Sequence, residues 1–154
     1  MPQALTSSDL CTRATVCASR AMAVDEAARL MREQHVGCLV VTDDMKVGRV
    51  PVGMLTDRDI VTAIVAKGLD PRRLRVEDVM SAEPAVAHAD DSVLDVLAAM
   101  RRKGVRRLPV VDAQGVLLGV LALDDVLEAV AEQLNAVVQA MSSGRSREQR
   151  ARVD

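Results

Sequence analysis

Slid along itself, the chain superimposes on its own second half, and this internal repeat constrains the fold more than any single motif does. Val24, Ala27, Ala28 and Met31 fall opposite Val93, Val96, Leu97 and Met100 at an offset of 69 residues. The same offset carries Val36, Leu39 and Val41 onto Val105, Leu108 and Val110. Further on, Gly53 and Asp59 meet Gly119 and Asp125 at an offset of 66, so the first copy holds three extra residues. They fall within Asp43 to Pro51, which reads as a hairpin turn.

Both copies show one order of elements. The apolar positions 24, 27, 28 and 31, and 93, 96, 97 and 100, have helical spacing, with Ser92 as N-cap and Gly104 as stop in the second copy. Two β-branched runs follow, Val36 to Thr42 and Val50 to Leu55, matched by Val105 to Val111 and Val116 to Leu121. A second helix is expected from Asp57 to Lys67, ending at Gly68, and from Asp124 in the other copy. Thr15 to Cys17 and Ala85 to Ala87 are short apolar stretches that add a strand in front. The unit is β-α-β-β-α. A unit of about 50 to 60 residues buries too little apolar surface alone, whereas two packed face to face share a core. The expected fold is therefore α/β, of the α+β type, with two repeats as a pseudo-two-fold pair. The boundaries read as 10–69 for the first repeat, 70–75 for a polar linker broken at Asp70-Pro71, and 76–134 for the second. Residues 135–154 read as a helix extension and a disordered Arg-rich tail.

Composition narrows the function. Phe, Tyr and Trp are absent, so no base can be stacked on an aromatic ring. A formal charge of −2, from 20 basic and 22 acidic residues, gives no field that steers the chain to nucleic acid or anionic lipid. The start, with Pro2 and Asp9, lacks a signal-peptide pattern, and the longest nearly continuous apolar run, Val116 to Leu123, is far short of a membrane helix. Cys11, Cys17 and Cys38 are odd in number and lack C-x-x-C spacing, which reads as reduced thiols in a cytoplasmic protein. His35 and His88 have no second ligand at metal spacing, so no metal site is expected. No nucleophile has an adjacent base, so no enzyme is expected either.

Three stretches resemble segments of the cystathionine-β-synthase (CBS) domain family. They are Val79-Met80-Ser81 with Pro84, the run Val105 to Asp112, and the run Gly53 to Ile60. The resemblance covers roughly residues 10 to 134, and no enzyme or DNA-binding domain is attached, so the chain is similar to free-standing CBS pairs. It implies clefts between the repeats that take an adenosine-containing ligand such as AMP, ADP, ATP or S-adenosylmethionine. It also implies that the Gly-x-x-Thr-x-x-Asp motif, here Gly53, Thr56 and Asp59, puts its Asp on the ribose and its hydroxyl near the phosphate. The chemistry is sound on its own terms: a carboxylate accepts from a cis-diol, and N–H groups at a helix start favour phosphate. Arg58 adds a cation. Thr-x-x-Asp is equally the pattern of a capping box, and the two roles are compatible.

In the second copy Gly119 and Asp125 are kept, but Ala122 replaces Thr56 and Asp124 replaces Arg58, so the two clefts are expected to differ and one to bind better. Arg106 and Arg107 precede Leu108-Pro109, where related proteins carry basic residues facing phosphates; their counterparts Gly37 and Cys38 are small. The expected site therefore places adenine near Val36, Gly37, Cys38 and Leu39 and phosphate near Arg106 or Arg107, with Pro109 beside them; the other reading leaves one Arg solvated. Thr15 and Cys17 lie where the family contacts ligand through backbone, with the Cys17 thiol buried and inert. The apolar stripe 126, 127, 130, 131, 134, 137, 138 and 141 continues beyond the repeat and is expected to cover a homodimer interface. Two rival readings stay open: a ligand-free dimeric scaffold, and a nucleic-acid binder using the Arg-rich tail with Arg72, Arg73 and Arg75.

Overall fold

The computed structural model describes residues 5–151. Helix α1 (Ser7–Leu10) precedes the first repeat, which runs β1 (Cys17–Ala18), α2 (Val24–Gln34), β2 (Cys38–Met45), β3 (Gly48–Thr56) and α3 (Asp57–Ala63). Then come α4 (Val76–Val79) and β4 (Ser81–Ala82), followed by β5 (Ala87–His88), α5 (Val93–Lys103), β6 (Arg107–Val111), β7 (Leu117–Ala122) and α6 (Leu123–Ala151). The β-α-β-β-α order thus occurs twice, as the repeat requires.

The local reasons are visible in the residues. Val24, Ala27 and Met31 put the buried stripe of α2 one turn apart, and Val96 and Met100 do so on α5. Helix α5 opens with a capping box: Ser92 Oγ accepts from Asp95 N at 3.2 Å and Asp95 Oδ2 accepts from Ser92 N at 3.3 Å. It ends on Gly104 in the left-handed region (φ 64°), where the first copy uses His35 (φ 54°). The three extra residues of the first copy lengthen the β2–β3 hairpin, whose strands pair out to Met45 and Gly48.

Two sheets result, in the orders β1-β2-β3-β4 and β5-β6-β7. In each, the first strand is parallel to the second and the second antiparallel to the third. Strand β3 packs against β7, which brings the two repeats face to face.

The boundary of packing differs from the boundary in sequence. Residues 76–82, placed at the start of the second repeat, close the core of the first: Val76 is fully buried with Leu39, Val41 and Leu55, and β4 pairs with β3 at Gly53 and Met54. Conversely α1 lies on the second repeat, where Leu10 and Cys11 pack on the core of Leu108, Val110 and Leu121. Thr12 and Val120 exchange backbone hydrogen bonds of 2.9 and 3.0 Å there. Each repeat is sealed by the segment that leads into the other.

Gly53 and Gly119 are needed for this closure, and for a reason other than ligand approach. A Cβ at Gly53 would stand 2.5 Å from Met80 Sδ, and one at Gly119 would stand 2.5 Å from the carbonyl oxygen of Thr12. They make room for the exchanged segments.

Up to residue 151 the Arg-rich tail is helical where disorder was expected, and residues 152–154 lie outside the described residues. Helix α6 runs on to Ala151, because Arg, Glu, Gln and Ala are good helix formers and extend a helix already nucleated upstream. The Ser142 and Ser143 hydroxyls donate back to the carbonyls of Val138 and Gln139 at 3.0 Å, so these serines do not break it. Among the described residues no helix is long and apolar enough to cross a membrane.

Candidate ligand clefts between the repeats

The pseudo-two-fold brings the start of β2 beside the start of β6, and a cleft opens on either side of this shared wall. Gly37, Cys38 and Arg107 line both. Each cleft takes the strand-to-helix turn of one repeat and the strand start and leading segment of the other.

The larger cleft, about 420 Å³, is built on the turn of the first repeat: Met54, Thr56, Asp57, Arg58 and Asp59 face Pro84, Ala85, Val105 and Arg106 of the second. The Thr56 turn is a complete capping box, with Thr56 Oγ1 accepting from Asp59 N (3.1 Å) and Asp59 Oδ2 accepting from Thr56 N (2.9 Å). One oxygen of each carboxylate–hydroxyl pair is thereby committed to the helix start, yet Asp59 Oδ1 accepts no hydrogen bond from the described residues. Arg58 and Arg107 form no ion pair among the described residues, and Arg106 Nη2 stands 3.9 Å from Asp124 Oδ1, with both side chains more than three-quarters exposed. Such a pair in water holds Arg106 only weakly.

The smaller cleft, about 290 Å³, is its pseudo-symmetric partner: Ala122 and Asp125 face Thr15, Val16, His35 and Val36. Its turn is half a capping box, since Asp125 Oδ2 accepts from Ala122 N at 2.8 Å but no hydroxyl stands at residue 122 to accept from the helix. It carries Arg107 and His35 where the larger cleft carries three arginines.

The structure therefore divides the expected site residues. Thr56, Arg58, Asp59, Arg106 and Arg107 come together as anticipated. Val36, with Thr15 and Asp125, belongs to the opposite cleft, so adenine near Val36 and phosphate near Arg106 do not describe one ligand. Leu39 and Pro109 line neither cleft: strand alternation turns Leu39 into the first core, while Pro109, on the face of β6 opposite Leu108 and Val110, is fully buried outside both clefts. Gly53 is covered by β4 as described above. Cys17 pairs with Val40 in β1 and lines neither cleft. Pro84, Ala85 and Val105 were missed, although the offset of 69 that carries Thr15, Val16 and Val36 onto them was already in hand.

Cys38, on the shared wall, has its thiol pushed up to about 11 by burial, which outweighs the opposing pull of the Arg107 charge. A proton held in the fold and released by the unfolded chain stabilises the fold least at high pH. Stability is expected to fall as pH rises from about 9 towards about 11, where Cys38 ionises in place. At pH 8, alkylation of Cys38 should be about a hundredfold slower in the native protein than in denaturant, as read by mass spectrometry; equal rates would contradict the burial.

The CBS domain family profile matches residues 8–66 and 76–132. The chain belongs to the CBS domain family. Among curated relatives, an uncharacterised protein of Methanopyrus kandleri is 34% identical over 103 residues, or 67% of this chain, and the match spans only 51% of that relative. Hypoxic response protein 1 of Mycobacterium tuberculosis is 31% identical over 87% of this chain and 90% of its own. Its crystal structure, with two coordinated zinc ions, superimposes with a TM-score of 0.69 at 32% identity, covering 80% of this chain and 98% of that one. The cytosolic domain of the Mg2+ channel MgtE in complex with ATP superimposes with a TM-score of 0.67 at 28% identity, covering 80% of this chain and 48% of that one. Among the described residues of this CBS pair no group of three His, Cys, Asp or Glu side chains stands close enough to hold a metal ion.

Proposed function

We propose that this CBS pair is a regulatory module that binds an adenine nucleotide, of the AMP, ADP or ATP class, in the larger cleft. One observation carries the reading: Arg58, Arg106 and Arg107 converge, without a strong internal partner, on the cleft that also holds Thr56 and the free Oδ1 of Asp59. Guanidinium groups recognise phosphate through paired N–H donors, and a carboxylate recognises ribose hydroxyls. Ala85 and Val105 supply an apolar lining for a base. The same arginines repel a sulfonium, so a phosphate-bearing nucleotide is favoured over S-adenosylmethionine. The ATP complex of the MgtE cytosolic domain supports the ligand class. The ligand acts by its differential affinity for two states of the pair or of its protein target.

The complete capping box favours a second reading, a ligand-free scaffold in which Thr56 and Asp59 only start a helix. A nucleic-acid site on Arg72, Arg73 and Arg75 is weakened by internal engagement: Arg72 pairs with Asp70 at 3.2 Å and Arg75 donates to the Ala21 carbonyl at 2.6 Å. Calorimetric titration with AMP, ADP, ATP, NAD and S-adenosylmethionine separates the readings. Binding of a phosphate-bearing adenosine compound is expected; no heat with any of them gives the scaffold reading the lead.

A further inference from the structure

We propose that α6 pairs in antiparallel fashion with α6 of a second copy of this chain, along a seam of Leu127, Val130, Leu134, Val137 and Met141. The steps along this row alternate three and four residues, the heptad spacing of a two-helix seam. All five are exposed, Leu134 to 65% and Val137 to 56%, although the helix has left the body of the repeat by then. At 29 residues α6 is about 43 Å long, far more than the core it caps uses. Ala131 and Ala140 flank the row with small side chains that let a second helix approach.

Charge fixes the occupant and its direction. Asp124, Asp125, Glu128 and Glu132 crowd the beginning of α6, and Arg145 and Arg147 stand near its end. A parallel copy sets like charge beside like. An antiparallel copy sets the acidic end of each helix along the basic end of the other, and brings Val130 opposite Met141 and Leu134 opposite Val137 in a self-complementary, two-fold contact. In that register Asp124 lies level with Arg147 of the partner subunit. The pairing stands independently of what fills the clefts.

The test is the mass of the full chain in solution at about 100 µM, by light scattering or sedimentation. A dimer is expected. Leu134→Glu with Val137→Glu buries two unpaired charges in the seam and should raise the dissociation constant more than about a hundredfold, leaving the far-UV melting of the exposed-site variant in place. A wild-type monomer, or a variant whose mass does not change, overturns the seam. For direction, Val130→Cys and Met141→Cys chains are mixed and oxidised: the mixed disulfide species is expected, and crosslinking of each variant only to itself overturns the antiparallel arrangement.

Discussion

Leu39→Ala and Leu108→Ala are each expected to cost about 2–5 kcal/mol of folding free energy, and each is expected to lower the stability of both repeats in a single transition. The size of the loss follows from burial: Leu39 lies at the centre of the first core and Leu108 at the centre of the second, both without meaningful exposure. A protein of this size has about 5–15 kcal/mol to lose, so either change removes a large share. The single transition follows from the exchanged segments. Unfolding the first repeat releases Val76 and β4, which are tethered within a few residues of β5, and unfolding the second releases α1 and Thr12, which lead directly into β1. Neither core keeps its seal when the other opens. Urea denaturation followed by far-UV circular dichroism checks this, since the chain has no aromatic residue to report by fluorescence. Two resolved transitions, with only one moved by each variant, would show that the repeats fold as separate bodies.

The repeat and its periodicities made the paired β-α-β-β-α units legible from the residues alone. Offset and alternation are local or translational properties, and a sequence carries them openly. The exchange of α1 and α4 was not legible in this way. Nothing in Ser7–Leu10 or Val76–Val79 says which of two homologous cores it will cover, because the two cores offer nearly the same apolar surface. The same limit applied to the site. Thr56, Asp59 and Arg58 came from the resemblance of Gly53 to Ile60 to a CBS segment, but which strand start faces them depends on the pseudo-two-fold, which sets Val36 and Arg106 in opposite clefts with Arg107 in both. Gly53, the first residue of that motif, is covered by Met80 and the Ser81 backbone, a contact that the motif does not disclose. Leu39 is legible as a core residue, since the offset of 69 sets it on Leu108 and alternation puts it on one face with Val41; the burial of Pro109 on the opposite face of β6 depends on packing that alternation does not reveal.

Arg58→Ala combined with Arg106→Ala is expected to weaken nucleotide binding by a factor of about a hundred or more. Each guanidinium lost from a phosphate removes a charge-assisted hydrogen bond of about 1.5–3 kcal/mol, or roughly ten- to a hundredfold in affinity. These two line only the larger cleft, whereas Arg107 lines both and cannot discriminate between them. Both side chains are exposed, so the fold should be untouched. Adenosine, which lacks phosphate, should bind the variant as it binds the parent. Calorimetry with both ligands reads the difference. If adenosine and the nucleotide weaken together, the arginines act through the shape of the cleft and not on phosphate.

The most direct measurement is a calorimetric titration of AMP into the parent protein, Asp59→Asn and Asp125→Asn side by side. Asn keeps an oxygen to accept from the Thr56 or Ala122 amide, so the helix start survives while the charge that holds the ribose is lost. One nucleotide per chain is predicted, weakened about ten- to a hundredfold by Asp59→Asn and little by Asp125→Asn. Binding that ignores Asp59, or that depends on Asp125 instead, would contradict the assignment of the nucleotide to the Thr56–Asp59 cleft.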